Sequence, residues 1–245
     1  MTDKPLVTIS IPAYNLGGYL DKTLESIFNQ TYQNFEIILV DDASTDKTAA
    51  TIDRHAEADE RIKPHYFKTH QGVSKARNYA IDHAQGDIIV FVDGDDLLEP
   101  TYLETMVAGM ADPQTDLVIV GFSWGWRGGG YSRHPQFETV PKRRAYESIH
   151  YRGDNLGGYT WNKGFSMAVI RDNQIRFDES LDLAEDLLFT ADYILAAHQL
   201  VYYDAPLYNK VNRGNSIIHS ATYQMRAKEQ VVRRHIDEMG MKLMP

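Results

Sequence analysis

Carboxylates follow two short apolar runs of this sequence. Asp42 lies just after residues 35–40, and Asp93 and Asp95 lie just after residues 87–92. An Asp-x-Asp pair on a tight turn can present two hard oxygen ligands to one Mg2+ or Mn2+, and that cation can neutralise a diphosphate. One such pair would equally suit a helix cap or an exposed surface. Two clusters after comparable runs favour a metal and phosphate site.

The elements that must position these carboxylates alternate in type. Short apolar runs are typical of strands covered on both faces, and the stretches between them repeat with a helical period. This alternation implies a mostly parallel sheet with right-handed crossovers, whose ligands bind beyond the carboxyl ends of the strands. Gly94 is expected to allow the sharp turn between the aspartates. The predicted strands cover residues 6–13, 35–40, 87–92 and 116–122, and the predicted helices residues 20–28, 49–56 and 73–84.

The second half of the chain is less regular. No internal repeat or clear linker separates it from the first half, so it is expected to complete the same domain. Strands are predicted at residues 164–170 and 200–203, and helices at residues 186–197 and 223–239. The loop at residues 125–130 contains three consecutive glycines and is expected to be mobile.

Composition excludes several classes of protein. The 245 residues contain no cysteine, which rules out disulfides, thiolate zinc sites and cysteine nucleophiles. The formal net charge of -9 argues against nucleic acid as a partner, because phosphate backbones are bound by Lys and Arg. No apolar run approaches the ~20 residues that cross a bilayer, and no signal peptide is apparent, so the cytosol is the expected compartment. A nicotinamide oxidoreductase is disfavoured, since Gly-x-Gly-x-x-Gly does not follow the first strand.

Four segments in roughly the first hundred residues are specific as a set, although each segment alone is weak evidence for any family. They cover residues 7–15, 36–46, 72–78 and 86–96, the last of which ends in Asp-Gly-Asp-Asp. Together and in this order they resemble the family 2 glycosyltransferases with their GT-A fold. The resemblance implies an α/β fold, in which a single Rossmann-like domain has a mostly parallel central sheet flanked by helices.

The resemblance also divides residues 1–245. Residues 1–122 would bind the nucleotide sugar, residues 123–222 would bind the acceptor and carry out catalysis, and residues 223–245 would form a C-terminal helix. That helix has an apolar face and scattered basic residues, so it could pack on the domain, dimerise or lie on an anionic membrane. Packing is favoured, because acidic residues dilute the basic character.

On the donor side the resemblance implies a UDP-sugar bound together with Mn2+ or Mg2+. Pro12 and Tyr14 would line the base pocket, and Asp42 would accept a hydrogen bond from the uracil edge. These residue types suit the roles, because an aromatic face stacks on a planar base and a carboxylate accepts an imide N–H.

At the diphosphate the resemblance implies a group of charged residues. Arg77 would approach the ribose or the phosphates, since a cation suits phosphate oxygens. Asp95 would bind the metal directly, and Asp93 would hold the ribose or a metal-bound water. Arg213 and His219 would lie over the diphosphate, where Arg213 would bind substrate and His219 would complete the metal shell.

The acceptor and the catalytic base are expected in the second half. Asp186 matches the position usually assigned as general base, which takes the proton of the attacking hydroxyl in inverting transfer. Glu185 is a further substrate-binding candidate, although neighbours on a helix project about 100° apart and are not expected to meet one hydroxyl. Acids favoured by the helix dipole would explain this pair equally well. Trp161 would stack on a sugar, unless it is a core residue, and Lys163 would donate to hydroxyls.

These expectations predict a cytoplasmic, metal-dependent, inverting glycosyltransferase. It would transfer a sugar from a UDP-sugar to a hydroxyl of a glycan, a lipid-linked saccharide or a glycoprotein, in a cell-surface pathway that could place it at the inner face of the membrane. Peripheral membrane contact and a homo-oligomer stay open. One alternative is a sugar-nucleotide-binding subunit without activity. The other, a sugar-phosphate nucleotidyltransferase, is disfavoured because Tyr14 and Asn15 stand where a glycine-rich phosphate loop would be needed.

Overall fold

A nine-stranded sheet organises the chain in this computed structural model, which describes residues 4–124, 133–211 and 222–243. The strands are β1 (Val7–Ala13), β2 (Phe35–Asp41), β3 (Ile62–Tyr66), β4 (Ile88–Phe91), β5 (Leu97–Leu98), β6 (Thr115–Trp124), β7 (Phe137–Val140), β8 (Lys163–Ser166) and β9 (Gln199–Lys210). The helices are α1 (Tyr19–Phe28), α2 (Thr48–Ala58), α3 (Val73–His83), α4 (Tyr102–Gly109), α5 (Lys142–Ser148), α6 (Met167–Asp172), α7 (Glu185–Ala196) and α8 (Tyr223–Gly240). The glycine-rich loop predicted to be mobile lies outside the described residues.

The first four strands form the parallel region that the sequence predicts. Their order is β3, β2, β1 and β4, and Val7 of β1 lies beside both Phe35 of β2 and Ile88 of β4. Every residue of β2 and β4 is buried, which explains why these strands are nearly continuous apolar runs. Helices α1, α2 and α3 connect these strands in turn. The carboxyl ends of β1, β2 and β4 therefore meet at one edge.

Beyond β4 the sheet becomes mixed. β8 pairs antiparallel with both β4 and β6, and β9 lies parallel to β6. β5 and β7 pair antiparallel with β9. The α/β class is confirmed, with four adjacent parallel strands followed by a mixed region. β9 has 12 residues and is longer than predicted, so its last residue, Lys210, reaches the edge where β4 ends.

The strand predicted at residues 164–170 is wrong in its second part. β8 ends at Ser166 and helix α6 follows directly, because a short apolar run does not distinguish a strand from a buried helix. Gly164 lies where α4 approaches the strand. A Cβ there would be 2.8 Å from the Met106 sulfur, so this contact requires glycine.

Two hydrophobic layers cover the two faces of the sheet. Side chains alternate along each strand, so Ile37 and Ile38 of β2 enter different layers. One layer contains Leu24 of α1 and Leu103 of α4, and the other contains Phe189 of α7. The second half of the chain thus completes the core of the first half.

The C-terminal helix packs on the domain, as the sequence favours. Val232 and Ile236 of α8 are buried beside α5 and α7, and the Tyr146 hydroxyl donates to the Ile236 carbonyl oxygen at 2.8 Å. A Cβ at Gly240 would lie 2.6 Å from the Tyr146 ring, so the helix closes tightly on α5. The apolar face of α8 is therefore covered. Among the helices that the structure describes, none is long and apolar enough to span a membrane.

Candidate active site

Backbone strain marks the edge of the sheet where β1, β2 and β4 end. Asn15, Ala43 and Ala184 have positive φ values of 48°, 61° and 66°. Residues with a Cβ avoid this region, and each such position costs about 1–3 kcal/mol unless its surroundings hold it there. Ala43 follows Asp42, and Ala184 precedes Glu185. The strain therefore lies beside residues that the sequence singles out for chemistry.

Asp42 organises the loop that precedes α3. Its Oδ1 accepts the Gln71 N–H at 2.6 Å, and its Oδ2 accepts the Gly72 N–H at 2.8 Å and lies 2.9 Å from His70 Nδ1. Gly72 has a φ of 92°, a conformation that favours glycine and lets the loop wrap around the carboxylate. Asp42 is buried, so this acceptor is fixed in place.

Tyr14 presents an aromatic face beside Asp42. The tyrosine is 45% exposed, Pro12 is half-buried, and the Asp42 N–H donates to the carbonyl of the intervening residue, Ala13, at 2.8 Å. The His70 ring lies 4.4 Å from the Tyr14 ring, centroid to centroid. The structure thus brings together the three residues predicted for the base pocket. It adds His70, which carries no local sequence signal.

Arg77 joins the two halves of the site. One Nη donates to Glu185 Oε1 at 2.9 Å and the other to Asp93 Oδ1 at 3.2 Å, and the guanidinium carbon lies 5.2 Å from the Phe177 ring centroid. The Arg77 side chain is 6% exposed. The Arg77 side chain is enclosed between two carboxylates, one of which belongs to the predicted diphosphate site, and its approach to the ribose or phosphates stays a prediction. Arg77 positions the end of β4 against the start of α7.

Asp93, Asp95 and Asp96 follow β4 and form a cluster that we call the acidic corner. A lysine at the end of β9 completes this cluster. Lys210 Nζ lies 2.9 Å from Asp93 Oδ2 and 2.7 Å from Asp96 Oδ2. Asp96 is fully buried and also accepts the Tyr208 hydroxyl and the Val211 N–H, each at 2.8 Å. Sequence reasoning missed Lys210, because the predicted strand was too short to reach this edge.

The charges in the acidic corner depend on one another. Burial would raise the pKa of Asp93, but Lys210 and Arg77 outweigh that effect and lower the pKa to about 2. Burial would lower the pKa of Lys210, but Asp93 and Asp96 raise it above its ordinary value. Burial raises the pKa of Asp96, against the opposing effect of Lys210. Asp93 is therefore negatively charged and Lys210 positively charged at neutral pH.

The acidic corner has the donor chemistry of a divalent cation site. Asp93 and the half-buried Asp95 offer carboxylate oxygens, which Mg2+ and Mn2+ prefer. Within the described part of the chain, no three His, Asp or Glu side chains group closely enough to hold an ion by themselves. Asp93 Oδ1 and Oδ2 already bond to Arg77 and Lys210, so a cation here would need Asp95 and further oxygen ligands. Arg213 and His219, predicted to assist, lie outside the described residues.

The sharp turn predicted at Gly94 is present, since the Asp96 N–H donates to the Asp93 carbonyl at 3.0 Å, but it does not require the backbone freedom of glycine. The φ of Gly94 lies outside the left-handed region, and a Cβ there would be 2.4 Å from Leu16 Cδ1 and 3.3 Å from Ile11 Cγ2. The Thr23 hydroxyl also donates to the Gly94 carbonyl at 3.0 Å. Glycine is needed because the acidic turn packs directly on β1 and the loop that follows it.

The two acids at the start of α7 lie in different surroundings. Glu185 is buried against Arg77, and Asp186 is half-buried and accepts the Leu187 N–H at 2.8 Å. The two side chains diverge, as helix geometry predicts, and Glu185 contacts Arg77 instead of facing a substrate. Burial raises the pKa of Glu185 to about 7, with Asp186 adding to the effect, and burial also raises the pKa of Asp186. A carboxylate with a raised pKa and some exposure suits a general base.

Trp161 lies in an aromatic cluster. It is 6% exposed, stacks on Tyr159 at 4.8 Å and packs against Tyr208 at 4.8 Å. Trp161 is therefore placed as a core residue, because neighbouring rings cover the faces on which a sugar would stack. Tyr159 is half-buried and follows Gly158, where a Cβ would lie 3.1 Å from Leu187 Cα, next to Asp186 in α7. We therefore assign Tyr159, which sequence reasoning missed, to the wall beside Asp186.

Lys163 is buried and does not reach an acceptor. Its Nζ donates to the carbonyl oxygens of Gly157 and Tyr159, each at 2.7 Å, and to Asn162 Oδ1 at 2.9 Å. The predicted contact with acceptor hydroxyls is wrong, because all three ammonium donors are used within the fold and the residue has no exposed surface. Burial lowers the pKa of Lys163 to about 7, against the opposing effect of Asp186.

The sequence of this chain matches a known protein family. Residues 8–173, about two thirds of the chain, match the model of Glycosyl transferase family 2. The chain belongs to glycosyltransferase family 2. The family match runs from β1 into the turn after α6 and includes Asp42 and Asp93, whereas Asp186 and Lys210 lie beyond it.

Individual members of family 2 are similar to much of this chain. EpsH of Bacillus subtilis, named as a glycosyltransferase, is 30% identical over 84% of this chain and 61% of its own length. TarS of Staphylococcus aureus, a poly(ribitol-phosphate) beta-N-acetylglucosaminyltransferase, is 29% identical over 87% of this chain and 37% of its own length.

Solved structures show the same fold. TarS 1-349 in complex with UDP-GlcNAc has a TM-score of 0.79 and 26% identity, and the match covers 96% of this chain and 66% of that one. The mannosyltransferase PcManGT of Pyrobaculum calidifontis, in complex with GDP-Man and Mn2+, has a TM-score of 0.64 and 21% identity over 86% of this chain and 57% of that one. This chain therefore has the GT-A fold and spans less than two thirds of each of these proteins.

Proposed function

We propose that this chain transfers one sugar from a UDP-sugar to a hydroxyl acceptor, with inversion at the anomeric carbon. The Arg77 bridge carries the proposal, because it ties Asp93 in the acidic corner to Glu185, the neighbour of Asp186. A carboxylate suited to a phosphate-bound cation and one suited to base catalysis are thereby held in fixed relation. Such fixed positioning is what transfer between two bound substrates needs.

The donor binds across the ends of β1, β2 and β4 in this proposal. Tyr14 stacks on the base and Asp42 accepts its imide N–H. Similarity to TarS, whose structure contains UDP-GlcNAc, supports uridine as the nucleoside. Asp95 and Asp93 would hold Mn2+ or Mg2+, which when bound would offset the charge of the diphosphate. Lys210 adds a fixed positive charge beside Asp93.

Asp186 is the general base in this proposal. The acceptor oxygen forms a bond to the anomeric carbon while the bond from that carbon to the diphosphate oxygen breaks, and Asp186 takes the acceptor proton. UDP leaves with the electron pair of the broken bond. Because burial raises the pKa of Asp186, activity should fall with decreasing pH at a higher pH than an ordinary aspartate would give.

The acceptor is proposed to be a hydroxyl of a glycan, a lipid-linked saccharide or a glycoprotein. The name of TarS, a poly(ribitol-phosphate) beta-N-acetylglucosaminyltransferase, supports a polymer that carries hydroxyl groups as the acceptor, and it makes N-acetylglucosamine the first sugar to test. Tyr159 beside Asp186 is the proposed wall against which the acceptor rests.

Measurements on three variants test the proposal. UDP release is measured with a panel of UDP-sugars, acceptors and Mn2+, and UDP binding is measured by calorimetry. Asp186→Asn should lower kcat by at least about 100-fold and retain UDP affinity, because only the base is lost. Asp95→Ala should weaken Mn2+-dependent UDP binding by about tenfold or more. Asp182→Asn, at an exposed residue before α7, is the matched control and should change neither quantity.

Two results would contradict parts of the proposal. Full activity of Asp186→Asn would remove Asp186 as the base. Mn2+-dependent UDP binding without turnover for any donor and acceptor would indicate a binding subunit instead of an enzyme.

A further inference from the structure

His70 makes the two contacts that the proposed function assigns to a nucleotide base. Its ring lies 4.4 Å from the Tyr14 ring with a tilt of 35°, and its Nδ1 lies 2.9 Å from Asp42 Oδ2. A uracil ring would stack on Tyr14 and donate its imide N–H to Asp42 in the same way. Asp42 Oδ2 also accepts the Gly72 N–H at 2.8 Å, so a base that approaches this oxygen must replace the His70 ring nitrogen. The base and the His70 ring therefore compete for the same partners.

We propose that His70 occupies the base site and is displaced when the donor binds, so that it lowers the affinity for uridine nucleotides. This inference rests on the proposed function, because it needs the base to bind at Tyr14 and Asp42. His70 would thus influence the affinity for the donor, although it is not among the residues predicted to contact the base.

The local structure permits this displacement. The Asp42 carboxylate anchors the loop through the backbone N–H groups of Gln71 and Gly72, and these bonds do not involve the His70 side chain. That side chain is 58% exposed, whereas the Asp42 side chain is 4% exposed. A rotation about the side-chain bonds of His70 therefore frees Tyr14 and Asp42 Oδ2 while the loop backbone stays in place.

A competing side chain has a defined effect on binding. The apparent dissociation constant equals the intrinsic constant divided by the fraction of molecules whose site is free. Exchange of an exposed side chain takes picoseconds to nanoseconds, much faster than ligand encounter. His70 should therefore reduce the apparent association rate of the nucleotide and leave its dissociation rate unchanged.

The test compares His70→Ala with the wild-type chain. Kd values for UDP with Mn2+ and for uridine alone are measured by calorimetry, and UDP rates by stopped-flow fluorescence. His70→Ala should bind both ligands about three- to tenfold more tightly, through faster association. His70→Phe retains a ring beside Tyr14 but has no ring nitrogen near Asp42 Oδ2, so its affinity should be intermediate. His83→Ala is the matched control, because His83 stacks on Tyr79 at 3.9 Å away from the site and should not alter binding.

Some results would contradict only the role of His70, and others would also contradict the proposed function. Weaker binding by His70→Ala with faster dissociation would show that His70 holds the bound base, and unchanged binding would show that its contacts do not compete. Either result overturns the inference and leaves the proposed function standing. If the wild-type chain and all variants bind neither UDP nor uridine, the proposed function and the inference both fail.

Discussion

At the scale of single residues, Lys210 shows how the acidic corner depends on a distant part of the chain. Its partners Asp93 and Asp96 precede it by 117 and 114 residues. Carboxylates buried at one edge repel each other, and a buried charge that loses its partner costs about 3–5 kcal/mol. Lys210 therefore contributes to both folding and the charge of the site.

Replacing Lys210 with methionine should lower the free energy of unfolding at pH 7 by about 3 kcal/mol, because Asp93 and Asp96 lose their shared cation. Lys210→Arg keeps the charge and should retain most of the stability. The low pKa of Asp93 stabilises the wild type fully above about pH 3.8, and this contribution is lost as the pH falls through about 2. Urea unfolding of both variants measures the difference. Equal stability of Lys210→Met and the wild type would refute this role.

Residues of the site differ in how far they can be predicted from sequence. The positions of Asp42 and Asp93 at strand ends are predictable, because the apolar runs before them are local patterns, whereas the choice of Asp186 depends on the family resemblance. His70 escapes detection, since its contacts with Tyr14 and Asp42 cross between loops. Lys163 is expected to donate to acceptor hydroxyls, and its burial is not apparent from the sequence because lysines are almost never fully buried.

At the scale of elements, the loop before β8 is held by one buried ammonium. Lys163 Nζ bonds to three oxygens in the segment from Gly157 to Asn162, which also contains Tyr159. Asn162 in turn donates to the Val120 carbonyl at 2.8 Å and so attaches the loop to β6. This loop sets the position of Tyr159 relative to α7.

Lys163→Met should lower the free energy of unfolding by about 2 kcal/mol or more, because buried oxygens lose their donor. Lys75→Met, at an exposed lysine on α3, is the matched control and should change stability by less than about 0.5 kcal/mol. Thermal and urea unfolding measure both. If Lys163→Met instead raised the KM for the acceptor without loss of stability, the lysine would have to reach the substrate after all.

The sequence predicts the central strands better than those at the margin of the sheet. β1, β2 and β4 are buried apolar runs, and all three are predicted close to their observed bounds. β3 was not predicted, because its exposed polar residues and Pro64 resemble a loop. Pro64 is tolerated because β3 pairs with β2 alone and lies at the edge of the sheet. The sequence pattern of a strand is therefore harder to recognise where, as in β3, most of its residues are not buried.

At the scale of the whole molecule, two bridges connect the halves of the site. Arg77 links the end of β4 to α7, and Lys210 of β9 links the last long strand to the acidic turn. Both bridges cross from the parallel strands to elements of the second half. The fold class was predictable from the alternation of elements, but these bridges were not, because they depend on the order of strands in the mixed region.

The C-terminal helix is attached by charge as well as by apolar packing. The Glu229 side chain is 7% exposed and lies 3.0 Å from Arg226 and 2.8 Å from Arg233 of the same helix. It also lies 3.3 Å from Arg152, and this ion pair joins α8 to the rest of the domain. Burial would raise the pKa of Glu229, but Arg233 and its neighbours lower it below the ordinary value of 4.5. Its stabilising contribution is therefore present above pH 4.5 and lost as the pH falls through the lowered pKa.

Glu229→Gln should lower the free energy of unfolding at pH 7 by about 1–2 kcal/mol, because three guanidinium groups lose a buried carboxylate but remain partly hydrated. Glu238→Gln, at an exposed glutamate of the same helix, should change it by less than about 0.5 kcal/mol. Urea unfolding compares the two variants, and limited proteolysis reports whether α8 detaches first. If both variants unfold alike, the ion pair between Glu229 and Arg152 contributes nothing to the attachment of α8.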